Sequence, residues 1–333
     1  MLFSFSFTVR TRVTGRCLSV VPKLLLLGSF ALSSAASAAT YLLPSGADTV
    51  VGEVQRVIAR HEDTLLDIGR RNGVGYEEIV AANPGVDPWL PGEGTEVLIP
   101  SRYILPDAPR EGVVVSLAEH RLYYFPPSNP GEPLVVKTYP ISIGKMDWKT
   151  PLGSTRIVNK RERPAWYPPE SVRREHAAEG RPLPKVVPPG PDNPLGEYAM
   201  RLDIPGGAYL IHGTNRPAGV GMQVTHGCIR MFPEDIAEFY QLVPVNTKVL
   251  MIDQPYKMGW QGSELYIEVH APLQGQDDQS RFSLTNITRL LVSATQDRTV
   301  AIDWARAEKA FIRASGVPEP VVLGNQIAQT DEP

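Results

Sequence analysis

From residue 111 onward the chain reads as short β-branched and aromatic runs separated by turn residues: GVVVSL, HRLYYF, LVVKTYPIS, STRIVNKR, AMRLDI, YLIHGT and TKVLMID. Runs of this kind suit a pleated, half-buried surface, so they predict successive strands. SNPG at 128–131 marks a hairpin turn between two of them. One stretch departs from the pattern: PEDIAEFYQLV, 233–243, has helical spacing, with Pro233 in its first turn. The expectation is a mostly β domain over 111–254. Many of the 32 prolines fall between 164 and 194. That stretch interrupts the strand series and carries Trp166 and Tyr167, which suggests an ordered lid or groove wall.

Upstream, VQRVIAR (54–60) reads as a strand, TLLDIGRRN (64–72) and YEEIVAAN (76–83) as two short helices, and TEVLIP (95–100) as a closing strand. Thr64 is a natural helix N-cap, and the second helix stops before Pro84. With its DTL opening, its AN helix end and its VLIP finish, 57–101 resembles a LysM module, a small α+β family that binds N-acetylglucosamine-containing glycans. Residues 39–56 form an N-terminal segment, and RYILPDAPRE after the module reads as a linker, so the module is expected to fold separately. Residues 255–333 form a small mixed C-terminal extension. It has one strand-like piece, ELYIEV, and helical pieces near 284–296 and 302–314, and its polar end is expected to be disordered.

The first 38 residues are set apart. Arg10, Arg12, Arg16 and Lys23 precede the apolar run LLLLGSFALSSAASA, and Ala36-Ser37-Ala38 follows as a small-residue cleavage site. This is the layout of a secretory signal peptide, which predicts a periplasmic mature protein. A net charge of −3 gives no basis for nucleic-acid binding. Cys17 would leave with the signal, so Cys228 would be the sole thiol of the mature chain. In an oxidising compartment such a cysteine pairs with another chain, reacts, or is buried and inert.

Its surroundings favour reaction. In IHGTNRPAGVGMQVTHGCIRM (211–231), a strand-like run ends at His212, and a glycine-rich loop then leads to Thr225-His226-Gly227-Cys228. A thiol attacks carbonyls as thiolate and needs a base within hydrogen-bond reach; His212 can supply it if the loop folds back. Backbone N–H groups around Gly227 and Cys228 could face a developing oxyanion.

The run HGT…THGCIRM, with WKTPLG at 148–153, resembles the signature of the L,D-transpeptidases with a YkuD-type catalytic domain. The resemblance implies a β-sandwich or barrel-like fold that needs neither cofactor nor metal. It implies Cys228 as nucleophile and His212 as general base and proton donor, oriented by the carbonyl of Gly213. His226 and Gly227 would shape the oxyanion pocket, Thr225 and Thr214 would support it, and Arg230 would bind a donor carboxylate, with Trp166 and Tyr167 on the substrate wall. The implied substrate is the peptidoglycan tetrapeptide stem, cleaved at the diaminopimelate–D-alanine bond and transferred to an amine. That amine belongs to a second stem (a cross-link) or to a lipoprotein lysine; with water the enzyme would be an L,D-carboxypeptidase or amidase. The residues alone leave open a zinc hydrolase with His212, His226 and Cys228 as ligands, and a non-catalytic wall-binding protein. His61, His120, His176 and His270 read as structural.

Overall fold

The computed structural model describes residues 1, 39–43, 48–145, 148–206, 209–275 and 282–323. Apart from Met1, the predicted signal peptide with Cys17 lies outside these residues, as does the polar C-terminal end. The N-terminal strands are β1 (Ala39–Leu42) and β2 (Val50–Gly52). The module follows as β3 (Gln55–Ile58), α1 (Leu65–Arg71), α2 (Tyr76–Ala82) and β4 (Glu96–Ile99), and then β5 (Arg102–Ile104). The central domain comprises β6 (Gly112–Ser116), β7 (Arg121–Phe125), β8 (Val135–Pro140), β9 (Ile143–Gly144), β10 (Gly153–Glu162), α3 (Glu170–Ala178) and β11 (Tyr198–Leu202). It continues through β12 (Leu210–His212), β13 (Gln223–Thr225), β14 (Ile229–Arg230), α4 (Pro233–Leu242) and β15 (Lys248–Ile252). The extension contains β16 (Tyr256–Gln261), β17 (Glu264–Val269), α5 (Leu284–Thr295), α6 (Trp304–Arg313) and β18 (Glu319–Pro320).

Nine strands join in the order β1-β8-β7-β6-β15-β10-β11-β12-β14. Most neighbours are antiparallel, but β6 with β15 and β12 with β14 are parallel. The core lies between this sheet and α4, with Val113, Leu122, Tyr139, Ile157, Ile211, Ile229 and Phe239 among its buried side chains. The fold is mostly β, and the residues before and after the central domain are part of it. β1 pairs with β8 at the sheet edge, and Thr49 N donates to the carbonyl of Trp260 in the extension (2.9 Å).

RYILPDAPRE is not a linker. β5 pairs with β2, and Tyr103, Ile104 and Leu105 are buried. The flanking prolines and charges concealed an apolar triplet that the sheet covers.

The module has its own core of Leu65, Ile68, Val74, Ile79, Val97 and Ile99. Thr64 closes a capping box with Asp67. The module is also docked on the central domain. The first N–H groups of α2 lack partners within the helix, and two of them find partners outside it: Tyr76 N donates to the carbonyl of Val220 and Glu77 N to that of Gly221, each at 3.2 Å. A Cβ on Gly221 (φ +89°) would lie 2.2 Å from Tyr76 N, so only glycine permits this approach. Arg70 grips Glu234 through two hydrogen bonds of 2.7 and 2.8 Å. Arg121 at the start of β7, wholly buried, donates to both carboxylate oxygens of Glu78 (2.7 and 2.9 Å) and to the carbonyl of Gly73. Arg121→Met leaves the buried Glu78 carboxylate without its cation, so it is expected to destabilise the fold by about 3–5 kcal/mol. Adding Glu78→Gln should recover part of that loss. Urea unfolding of the two variants checks this, and a loss under about 1 kcal/mol for the single change would mean that the docking is slight.

On the other side, Lys257 attaches the extension. Its buried ammonium lies 2.8 Å from both Glu119 and Glu268, while Glu268 also accepts from Ile104 N (2.7 Å) and pairs with His270 (2.7 Å). His120 is buried with φ +54°, and burial pushes its pKa down to about 4.

Candidate active site

β12 and β14 run parallel, with Ile211 opposite Ile229 and His212 opposite Arg230. Ile211 and Ile229 both enter the core. Side chains alternate across a strand, so His212 and Arg230 project to the other face, and Cys228 lies immediately before β14. The glycine-rich loop therefore returns the thiol segment alongside the strand that ends at His212.

Each group is held by the backbone around it. His212 is buried, and its Nδ1 lies 2.6 Å from the carbonyl of Gly213. A carbonyl only accepts, so Nδ1 carries the hydrogen and Nε2 keeps its lone pair. Burial first, then the positive charge of Arg230, pushes the His212 pKa down to about 3, partly opposed by the hydrogen bond to Gly213. Cys228 forms no disulfide. Burial raises its thiol above the usual value, while a backbone hydrogen bond from Leu210 and the charge of Arg230 pull it down. Near neutral pH the thiol and the imidazole therefore both rest uncharged.

Arg230 is half-buried; burial lowers its pKa, and the Cys228 thiolate would raise it. Its Nε is buried without a hydrogen-bond partner, and among the described residues no carboxylate forms an ion pair with it. A guanidinium with a buried, unpartnered Nε favours an anionic ligand.

The loop before the thiol is tightly stitched. Thr225 Oγ1 donates to the carbonyl of Cys228 (2.6 Å), and Thr150 Oγ1 donates to that of Gly227 (3.1 Å). Gly227 has φ +93°, and a Cβ there would meet the Tyr209 ring at 3.0 Å. Thr214, buried, accepts from Arg216 N at 2.9 Å.

Residues 110–251 match the family model described as YkuD, the L,D-transpeptidase catalytic domain. Three relatives from Escherichia coli K12 are similar to most of the chain. "Probable L,D-transpeptidase ErfK/SrfK" is 38% identical, covering 90% of this chain and 97% of the relative. "Probable L,D-transpeptidase YbiS" is 39% identical over 86% and 92%, and "Probable L,D-transpeptidase YcfS" 42% identical over 74% and 78%. The chain belongs to the L,D-transpeptidase family.

Within this L,D-transpeptidase the structure also shows residues that the sequence did not reveal. The proline-rich stretch lies between β10 and β11 and contains α3. Glu175 of α3 lies 2.8 Å from His226 Nε2 and pairs with Lys145. Those two contacts, Lys145 first, hold its carboxyl down at about 2. Trp148 meets the His226 ring edge to face at 5.2 Å. Trp166 is paired with Val187 inside its own insertion, and Tyr167 is 69% exposed. The insertion therefore reaches His226 through Glu175.

His212, His226 and Cys228 do not form a ligand cluster among the described residues. Among the described residues, three potential metal ligands converge only at Glu119, Glu268 and His270, where Lys257 already supplies the cation. A cavity of 240 Å³ is lined by Glu77, Glu119, His120, Gln223 and His270, and neither Cys228 nor His212 borders it.

Proposed function

We propose that Cys228 is the nucleophile and His212 the general base of an exported transpeptidase acting on peptidoglycan stem peptides. One observation carries this reading: β12 and β14 pair in parallel with His212 opposite Arg230, which brings the segment ending at Cys228 alongside His212, and Gly213 holds His212 in the tautomer that leaves Nε2 basic. Arg230, with its unpartnered Nε, receives a donor carboxylate. As the sulfur attacks the carbonyl of diaminopimelate, the thiol proton passes to His212 Nε2. The tetrahedral intermediate collapses, D-alanine leaves with that proton, and the acyl group stays on sulfur. An amine then attacks, gives up its proton to His212, and frees the thiol.

Gly227 and the loop around it would present backbone N–H groups to the oxyanion. Thr225 and Thr150 fix that loop, Thr214 supports the turn after His212, and His226 orders the loop's outer side. Trp166 and Tyr167 are assigned to the wall of the substrate groove. The docked module, LysM-like in pattern, would hold the enzyme on glycan strands. No helix among the described residues is long and apolar enough to cross a membrane. The signal-like N-terminus supports a periplasmic location.

For the acceptor, the reading is an amine, either a second diaminopimelate or a lipoprotein lysine, rather than water. A strain expressing only this enzyme of its class tests the proposal by mass spectrometry of wall fragments. Cross-links between diaminopimelate residues, or stems carrying a lipoprotein lysine, are expected. Tripeptide stems alone would make the enzyme a carboxypeptidase, and unchanged tetrapeptides would contradict the proposal.

A further inference from the structure

We infer that Glu175, on the helix of the proline-rich insertion, is a positioning residue for acyl transfer, fixing the ring of His226 and the contacts of Lys145 and Trp148 against the Thr225–Cys228 segment. The inference rests on the reading of Cys228 as nucleophile. Glu175 lies 51 positions before His226 in sequence, yet one of its carboxylate oxygens lies 2.8 Å from His226 Nε2 while the other pairs with Lys145. A carboxylate only accepts, so Nε2 carries a hydrogen and the ring cannot exchange tautomers. Trp148 packs against the ring at an interplanar angle of 70°, leaving it little freedom to rotate.

The same contacts lead to the nucleophile. Lys145 N donates to the carbonyl of Thr225 (2.9 Å), and Trp148 N donates back to that of Lys145 (2.8 Å). Thr225 then bonds the carbonyl of Cys228, and Thr150 that of Gly227. Glu175 therefore closes a ring of contacts around the thiol loop from outside the central sheet. Only Val172 is buried on α3, so the helix has little apolar anchoring of its own. The three partners are roughly one-third exposed, at 29%, 29% and 35%. Pairs that open to water add little stability. Their consequence should appear in geometry, and a displacement of about 1 Å at a reacting centre can lower a rate about 100-fold.

The test uses the full-length enzyme, a soluble tetrapeptide donor and an amine acceptor. Glu175→Ala is expected to lower kcat by about 10- to 100-fold with KM little changed and the unfolding midpoint within a few degrees. Glu175→Gln should recover part of the rate, because its amide oxygen still accepts from His226. Lys145→Met should be the milder lesion. Nitrogen-15 spectra of the His226 imidazole give a readout that simple loss of stability does not move: one Nε2-protonated form in the wild type, mixed tautomers in Glu175→Ala. Unchanged kcat, a loss confined to KM or to stability, or a lowered kcat with the His226 signature intact would each overturn the assignment. Activity surviving in Cys228→Ala would instead sink the nucleophile reading, and the His226 spectra would be unaffected by that failure.

Discussion

Cys228→Ala is expected to abolish acyl transfer, by on the order of 10⁴-fold or more, while leaving the fold intact. The size of the effect follows from the absence of a substitute at the site. Hydroxyls that bond the thiol segment are already spent: Thr225 Oγ1 donates to the carbonyl of Cys228, and Thr150 Oγ1 to that of Gly227. Ser142 Oγ donates to the carbonyl of Gly219. None of the three has a histidine lone pair to take its proton, and a serine-like hydroxyl is far less acidic than a thiol. Truncating one half-buried sulfur opens a small void, so the unfolding midpoint should change little. D-alanine release from a tetrapeptide is the activity measurement, and circular dichroism checks the fold. More than a few per cent of wild-type activity in a folded Cys228→Ala protein would end the cysteine mechanism.

The parts of this site that could be read in the sequence are those whose chemistry is local in the chain. His212, Gly213, Thr225, Gly227, Cys228 and Arg230 lie within nineteen positions, and the strand run before His212 and the glycines after it imply a return loop. The β-rich central domain was legible for the same reason, since strand pattern repeats over short windows. The two helices of the module and the helix at 233–242 were announced by Thr64, Pro84 and Pro233. Glu175 and Lys145 were hidden because their partner is distant in sequence and nothing local marks a carboxylate that will meet a histidine. The signal available was weak: ESVRREHAA after two prolines is helix-prone, and Val172 and Glu175 fall on one face. β5 was missed for a different reason, because prolines and charges bracket its three buried residues. Strands such as β1 and β5 acquire their role only from the partner that tertiary folding provides.

On the proposed mechanism Cys228 and His212 share one proton, and the dependence of acylation on pH should show it. A carbapenem is a suitable probe, because the family resemblance implies that its strained acyl group fits the donor's place. Burial holds the His212 imidazole neutral down to about 3 and raises the Cys228 thiol, so both partners rest uncharged through the neutral range. A resting thiolate–imidazolium pair is therefore not expected, and the thiolate's ultraviolet absorption band should be missing from the difference spectrum between wild type and Cys228→Ser near neutral pH. Attack still requires the proton to move from sulfur to Nε2, but that transfer is internal and does not involve the solvent. The acylation rate should consequently be flat from about pH 5 until the raised thiol begins to titrate. His212→Ala removes the internal base, so thiolate must then form by losing its proton to solvent. In that variant the rate should fall by about 10²- to 10⁴-fold near neutral pH and climb roughly tenfold per pH unit. His120→Ala, which alters a buried histidine outside the site, should leave the wild-type profile flat. Intact-protein mass spectrometry over time gives the rates and locates the adduct. A wild-type rate that rises tenfold per unit like the variant would remove His212 from the mechanism, and an adduct that forms equally in Cys228→Ser would remove Cys228.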